Sequence, residues 1–516
     1  MPGDLVVGLD SSTSATKAIA WDRRGRLVAQ GRAPIPLANP QPGYFEQDPA
    51  DWWSSSAAAL RELTGQVDPA RIAAVGISNQ RETFGVFSRD GTALRPGMVW
   101  LDDRARPQQR RFGETFGAER VHAISGKPLD VIPCLYRFIW LAESEPDLFA
   151  RAERIADVHG YLAFRLTGAW VTSLASADPM GAVDMASGTW SSELLAAAGV
   201  DPGKMPALVA PGEPMGTVTT AAAAVTGLAA GTPVIAGGGD GQCAGTGAGL
   251  IAPGAAYVNL GTAVVSGSFG AAYAYHRAFR TMNAVADGGF IYETCLRSGT
   301  FLVDWLAREV FLVEPGRQRD FFAALEAEAA ASPIGAGGVV LVPYWQGCMT
   351  PHWDSFARGV IAGLSGSTRR GDLYRALLEG IAMEQAATTN DAAAATGVPI
   401  SSYIAIGGGA SSDLWAQILA DAAARPVRRS ETVEASSLGA AMAAARGAGW
   451  FASIAEATAA MAGRPVRTFE PDPRRSARYA ELLAIHADLW PTLSAWNARL
   501  AAFTEAGSAD TEAGHG

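Results

Sequence analysis

The chain has 516 residues, a formal net charge of −10 and a pI near 5.2. Its 48% hydrophobic content supports sizeable cores and excludes a disordered chain, and the acidic balance excludes the basic face that wrapping nucleic acid needs. No run approaches the roughly 18 apolar residues of a membrane span, and Cys134, Cys243, Cys295 and Cys348 are too scattered for CxxC pairs or a disulfide framework. The expectation is a reduced, cytoplasmic protein of several domains, with no nucleic-acid or membrane partner.

Residues 4–30 read as a hairpin: DLVVGLD as a strand, SSTSATK as a hydroxyl-rich turn and AIAWD as a strand. QDPADWWSSSAAALREL has helix start signals, with Asp48 as cap and Pro49 in the first turn. RIAAVGIS is a buried strand that ends in NQRET, and GMVW is a short strand followed by DDRAR. Helical stretches follow at YRFIWLAES and DVHGYLAFRLTG. TPVIAG then leads into GGGDGQ, with GQCAGTGAGL predicted as a helix. A second hairpin, AAYVNLGTAVVSGS, echoes the first and hints at two similarly built halves. Later come a long helix at RRGDLYRALLEGIAMEQAATTNDAAAATG, the strand–turn–helix YIAIGGGASSDLWAQILADAAARPV, and the small-residue helix SLGAAMAAARGAG. A final amphipathic helix starts near 473 and bends at Pro491. The division expected is a domain over 1–252, a second over 253–505, and a disordered polar tail over 506–516.

Three glycine- or hydroxyl-rich turns follow buried strands: Ser11 to Thr16, around Gly261, and Gly407 to Gly409. Such turns bring backbone close to a ligand and offer free N–H groups to anions. Any one of them is explained by tight backbone geometry alone; the three together favour a nucleotide held between two halves. Lys127 and Lys204 follow glycine but precede Pro and Met, which excludes a P-loop. Gly239 to Ala244 fits GxGxxA, yet nothing from Gly241 to Ala286 is acidic, so the ribose-binding carboxylate of an NAD site is missing. Asp240 stands between bare glycines at a helix start. It reads either as an N-cap or as a general base in a cleft, with the glycines leaving room for substrate.

These segments resemble the FGGY family of carbohydrate kinases over about residues 5–450. Asp10-Ser11-Ser12-Thr13-Ser14 is similar to the family's first phosphate loop, with Ser12 where glycine is usual. PGYFEQDPADWW, VWLDDRAR, GGGDGQ, LGTA, TPHWDSFARGVIAGLS and IGGGASSDLW resemble further family segments, in family order. The resemblance implies an α/β fold of two actin-like (ribonuclease H-like) domains with a cleft between them. It also implies ATP and Mg²⁺, and transfer of the γ-phosphoryl group to a hydroxyl of a small sugar or polyol. Carried over, Asp10 helps to hold hydrated Mg²⁺. Ser12, Thr13, Ser14, Lys17, Gly261, Thr262 and Thr300 surround the phosphates. Gly408, Gly409, Ala410 and Asp413 line the adenosine side. Asp240 takes the substrate proton, and Arg81, Glu82, Trp100, Asp102 and Gln242 complete the acceptor site.

The acceptor pocket reads as a hybrid. NQRET resembles glycerol kinases, in which an Arg-Glu pair grips hydroxyls, a task suited to a five-donor guanidinium beside an acceptor carboxylate. Ile132 falls where those kinases carry a tyrosine, and Arg137 stands for the family's lysine in Lys-x-x-Trp. The Trp-x-Asp-x-Arg, Thr-Pro-His and Gly-Gly-Gly-Asp segments resemble xylulokinases. Trp345 and His352 are expected at the pocket rim or in packing. The expectation is a ketopentose such as xylulose, with glycerol or another polyol as the alternative and a homodimer as the assembly to test. An NAD-dependent oxidoreductase and an actin-like ATPase module are the alternatives from other classes.

Overall fold

A computed structural model describes residues 3–313, 318–354 and 356–513. Two sheets organise the chain. The first begins with β1 (Leu5–Ser11), β2 (Ala15–Trp21) and β3 (Leu27–Pro34). Leu5, Val6, Val7 and Leu9 are all fully buried, because both faces of β1 are covered. Helix α1 (Pro49–Thr64) starts as its sequence signals require, with the Asp48 side chain accepting the Ala50 N–H at 2.9 Å. Strand β4 (Ile72–Asn79) pairs parallel to β1. After a long helical excursion come β5 (Pro214–Thr217) and β6 (Pro233–Gly239), the latter running straight into α2 (Asp240–Gly247). The strand order is β5-β6-β4-β1-β2-β3.

The second sheet contains β7 (Ala255–Leu260), β8 (Val264–Gly270), β9 (Arg280–Asn283) and β10 (Phe290–Leu296). Helices α3 (Thr300–Trp305) and α4 (Arg370–Thr396) follow, α4 closing on Gly397 in the left-handed conformation. Next are β11 (Ser402–Ile406), α5 (Asp413–Ala423), β12 (Val427–Arg429), α6 (Ala435–Gly447), α7 (Ile454–Met461) and β13 (Arg467–Phe469). The order is β9-β10-β8-β7-β11-β12-β13.

The same pattern therefore occurs twice. Three antiparallel strands (β3-β2-β1, β10-β8-β7) are extended by two parallel ones (β4 and β6, β11 and β12) and closed by an antiparallel edge. This is the two-domain ribonuclease H-like, actin-like arrangement. The hairpin echo in the sequence is the visible part of this repeat. Sequence patterning misses β3, β9 and β10; in β10 every residue after Phe290 is buried, so no polar alternation marks it.

One element breaks the simple division of the chain. Helix α6 follows β12 of the second sheet, yet it lies across β1 and β4 of the first. A Cβ on Gly8 would sit 1.9 Å from the Ser437 carbonyl oxygen, so only glycine permits this approach. Ser437 Oγ also donates to the Gly8 carbonyl at 2.9 Å. Against α2 the contact is equally close: a Cβ on Gly439 would stand 1.9 Å from the Cys243 carbonyl oxygen. The run of alanine and glycine in α6 is therefore a close-packing surface.

The chain ends in α8 (Pro473–Ala487) and α9 (Leu489–Ala513). The expected bend is a break at Asp488, and Pro491 lies in the first turn of α9. Backbone is helical through Ala513, so most of the tail expected over 506–516 belongs to α9; residues 514–516 lie outside the described residues. Among the described residues no helix is long and apolar enough to cross a membrane.

Candidate active site

The expected turns occupy the carboxyl ends of the sheet strands. In the first, Ser12 to Ser14, the Ser12 N–H and Oγ both donate to the Ala15 carbonyl, at 3.0 and 2.8 Å. Ser12 does not have positive φ, so a side chain is tolerated where glycine is usual. The Trp100 indole N–H donates to Thr13 Oγ1 at 2.9 Å, and the Trp100 backbone N–H to Thr83 Oγ1. In the second turn, the Gly261 and Thr262 carbonyls accept the N–H groups of Thr300 and Gly299 at 2.7 and 2.9 Å, which seats the start of α3. The third turn, Gly408 to Ser411, stands beside the second because β7 and β11 are parallel neighbours. Gly408 faces open space, and Ala410 is buried.

Asp10 closes β1. Burial pushes its carboxyl up to about 6; Ser78, donating at 2.7 Å, works against this, as does Lys17, while Asp240 and Glu434 add to it. Lys17, expected at the phosphates, is paired at 2.7 Å with Glu434, which precedes α6.

Asp240 is the first residue of α2. Gly239 holds the cap position, so the N-cap alternative is replaced. Its Oδ1 accepts the Gly241 N–H at 2.8 Å and faces Arg81 Nε at 3.1 Å. The Asp240 side chain is 41% exposed, whereas that of Arg81 is only 8% exposed. The flanking glycines serve a purpose other than the one expected from sequence. A Cβ on Gly239 would stand 2.5 Å from Arg81 Cγ and Cδ, and one on Gly241 3.0 Å from its guanidinium. The space they leave is filled by Arg81.

Arg81 continues into a buried ring of charges. Its Nη1 reaches Glu293 at 2.7 Å and Gln242 Oε1 at 3.5 Å. Arg280 bridges Glu293 and Glu82, with contacts of 2.6 and 2.7 Å. The Tyr257 hydroxyl donates to Glu293 at 3.3 Å. Arg81 and Glu82 come from the first half; Tyr257, Arg280 and Glu293 come from the second. Burial opposes the charge on Glu293, yet Arg280 and Arg81 hold its carboxyl down at about 2. Burial raises Glu82 against the pull of Arg280 and Arg81, and it also opposes Arg81, which Glu293, Glu82 and Asp240 keep protonated. Glu82 has φ of +47°, an uncommon conformation for a residue with a side chain and one that clusters at functional sites.

Two expected contacts also have partners within the protein. Asp102 is fully buried, its oxygens engaged by Arg104 at 2.6 Å and by the Phe45 N–H at 2.8 Å. It braces the loop at the wall of the cavity beside Trp100 and Ile132. Asp413 follows the cap Ser412 and is held by Arg429 at 2.7 Å and by Arg467, so its carboxylate belongs to a surface cluster. Gln242 is fully buried and donates to the Ala175 carbonyl at 2.7 Å, with Oε1 left toward Arg81. The Arg137 fork is fully buried and donates to the carbonyls of Val99, Glu82 and Ile132, each at 2.6 Å. It thereby ties the Arg-Glu segment to the wall at Ile132. A cavity of about 330 Å³ opens beside Trp100 and Ile132, lined further by Phe45, Arg106, Arg297 and Trp345. His352 lies outside this lining and stacks on Trp490.

Models of the N-terminal and C-terminal domains of the FGGY family of carbohydrate kinases match residues 5–247 and 242–448. The chain belongs to the FGGY family of carbohydrate kinases. The two matches overlap within α2, just after Asp240. The kinase is 30% identical to a xylulose kinase of Bacillus subtilis over 508 residues, covering 96% of this chain and 99% of that protein. It is 32% identical to a glycerol kinase of Aromatoleum aromaticum over 502 residues, covering 92% and 96%. The solved xylulose kinase of Rhodospirillum rubrum superposes with a TM-score of 0.87 at 28% identity, covering 96% of this chain and 99% of that one. The protein is thus an ATP-dependent phosphotransferase with an alcohol group of a sugar or polyol as acceptor. This displaces both the NAD-dependent oxidoreductase and the ATPase-module alternatives.

Tyr257, Arg280, Glu293 and Arg137's bracing role escape sequence reasoning. The signal available for Glu293 is a lone carboxylate inside the apolar run FIYETCL. A charge in a buried strand demands a partner.

Proposed function

We propose that the kinase phosphorylates a ketopentose such as xylulose, with Asp240 accepting the proton of the attacked hydroxyl. The observation that carries this reading is the geometry of Asp240. It is an accessible carboxylate at a helix start, with Oδ1 fixed by Gly241 and Arg81 and Oδ2 left for a hydroxyl. In phosphoryl transfer the transition state is loose, and orientation of the nucleophile counts as much as basicity. Arg81 and Glu82 grip neighbouring hydroxyls. The backbone turns at Ser12 to Ser14 and at Gly261 and Thr262, with Thr300, receive the phosphates. Gly408, Gly409 and Ala410 receive the adenosine.

Asp10 fits a role in holding Mg²⁺. This ion keeps several waters and needs only one or two carboxylates besides substrate phosphates. A carboxylate pushed up by burial and by the nearby Asp240 and Glu434 is one whose charge a cation would restore. When bound, the ion supplies charge neutralisation for the transferred phosphoryl group.

For the acceptor, the xylulose kinase relatives and the xylulokinase-like Trp-x-Asp-x-Arg, Thr-Pro-His and Gly-Gly-Gly-Asp segments favour five carbons over three. Glycerol remains the second reading, favoured by the Arg81-Glu82 pair and by the glycerol kinase relatives. A coupled ADP-release assay over a panel of ketoses and polyols ranks the two. In the same assay Asp240→Asn is expected to lose about 10²–10⁴-fold in turnover. Undiminished acceptor-dependent turnover in that variant would refute the role given to Asp240.

A further inference from the structure

The ring that joins the two halves does more than neutralise buried charge. Two of its members, Arg81 and Glu82, are left with a defined remainder. Arg81 spends Nε on Asp240 and Nη1 on Glu293 and Gln242. Glu82 spends Oε1 on Arg280. Among the described residues, Nη2 of Arg81 and Oε2 of Glu82 make no hydrogen bond. One guanidinium donor and one carboxylate acceptor therefore remain, on adjacent residues next to Asp240. That is the complement of two neighbouring hydroxyls.

We infer that Glu293 and Arg280 are positioning residues for the acceptor site, assembling the Arg81-Glu82 grip from the opposite half of the molecule. Without Glu293, Arg81 has a single anionic neighbour at bonding distance, Asp240, and its fork is free to swing fully onto it. That both withdraws the donor from the acceptor and occupies the oxygen that receives the proton. Without Arg280, Glu82 is a buried carboxylate in a strained backbone conformation with no bonded countercharge, and it turns away or takes up a proton. The ring also means that the grip exists only while β9 and β10 lie against the Arg-Glu segment. Acceptor recognition is thus a joint product of both halves, whereas the turns that receive the nucleotide contain no member of the ring. Asp240 adds one negative charge to a balanced set of two arginines and two glutamates, so a neutral acceptor is preferred over an anionic one.

This inference rests on Arg81 and Glu82 gripping the acceptor, and steady-state kinetics with xylulose and with glycerol test it. In Glu293→Gln the KM for the acceptor is expected to rise at least about 30-fold, the low end for truncating one partner of a buried, hydrogen-bonded charge pair. The KM for ATP is expected to stay within about twofold, since no uniform nucleotide contact is removed. Arg280→Lys keeps the charge but loses the fork and is expected to shift the acceptor KM in the same direction. A purely structural ring predicts a lowered melting temperature with both KM values unmoved or raised together; that result overturns the inference. Should Glu293→Gln fail to fold, Tyr257→Phe, which removes one hydrogen bond to Glu293, decides the matter. A rise in acceptor KM alone supports the inference, and an unchanged ratio of the two KM values overturns it. If the unaltered kinase turns over ATP with no ketose or polyol, the reading of the acceptor site fails first. If its turnover of ATP does depend on a ketose or polyol and these variants leave acceptor KM untouched, only the positioning role fails.

Discussion

Replacing Gly439 with alanine perturbs the site without touching it. The new methyl would begin 1.9 Å from the Cys243 carbonyl oxygen, where real contacts do not fall below 3.0 Å. Helix α6 must therefore retreat from α2 by about 1.1 Å, and the neighbouring atom is backbone, which cannot rotate aside. Overpacking of this kind costs about 1–3 kcal/mol. The retreat has two local consequences. Asp240 heads α2, and Glu434, which precedes α6, holds Lys17 at 2.7 Å beside the first turn. A displacement of about 1 Å in groups that orient reactants can cost ~10²-fold in rate. Chemical denaturation and kcat measured on Gly439→Ala are expected to show both losses. Gly366→Ala is the control, since a Cβ there meets nothing within 4 Å. A Gly439→Ala protein with the stability and kcat of the control refutes the contact reasoning.

Further outcomes follow from single residues. Glu293 is held near 2 in the folded chain against 4.5 in the unfolded, so its contribution is present above pH 4.5 and is lost as pH falls toward 2. The loss is on the order of 3 kcal/mol, and the slope of unfolding free energy against pH in that window should flatten in Glu293→Gln; an unchanged slope counts against the ring. Glu82 acts with the opposite sign, because burial raises it, so its share of stability is lost as pH rises. Asp102→Asn strips Arg104 of a buried partner and should cost about 3–5 kcal/mol of stability with little change in acceptor KM. Normal stability with a raised acceptor KM would instead assign Asp102 to the substrate. Gly408→Leu, placed in open space, should leave stability within about 0.5 kcal/mol. It should raise the KM for ATP about tenfold, through loss of uniform binding; an unaltered KM removes the third turn from the nucleotide site.

Much of the architecture is legible in the sequence because it is locally encoded. The Asp48 cap, the closing Gly397 and the strand–turn–helix around Asp240 each depend on residues a few positions apart. What stays hidden depends on distant partners. Arg81 and Glu293 are 212 residues apart, and nothing near either one names the other. Asp102 shows a different limit. Its motif is visible, but that its oxygens are engaged by Arg104, two residues on, is decided only in three dimensions. The glycines beside Asp240 are equally ambiguous in one dimension: they announce empty space, and only the fold tells that an arginine fills it.

Helix α6 carries a consequence for how this chain can be cut. Strands β1 and β4 owe the cover over one face to a segment made more than 350 residues after the latter begins. A fragment stopping near residue 252 would expose that bare sheet to water, with the aligned backbone at Gly8 open to any other strand or helix. Nascent chains must meet the same problem during synthesis. The first sheet emerges early and waits unroofed until the last quarter of the polypeptide arrives, so the first half draws part of its cover from the second.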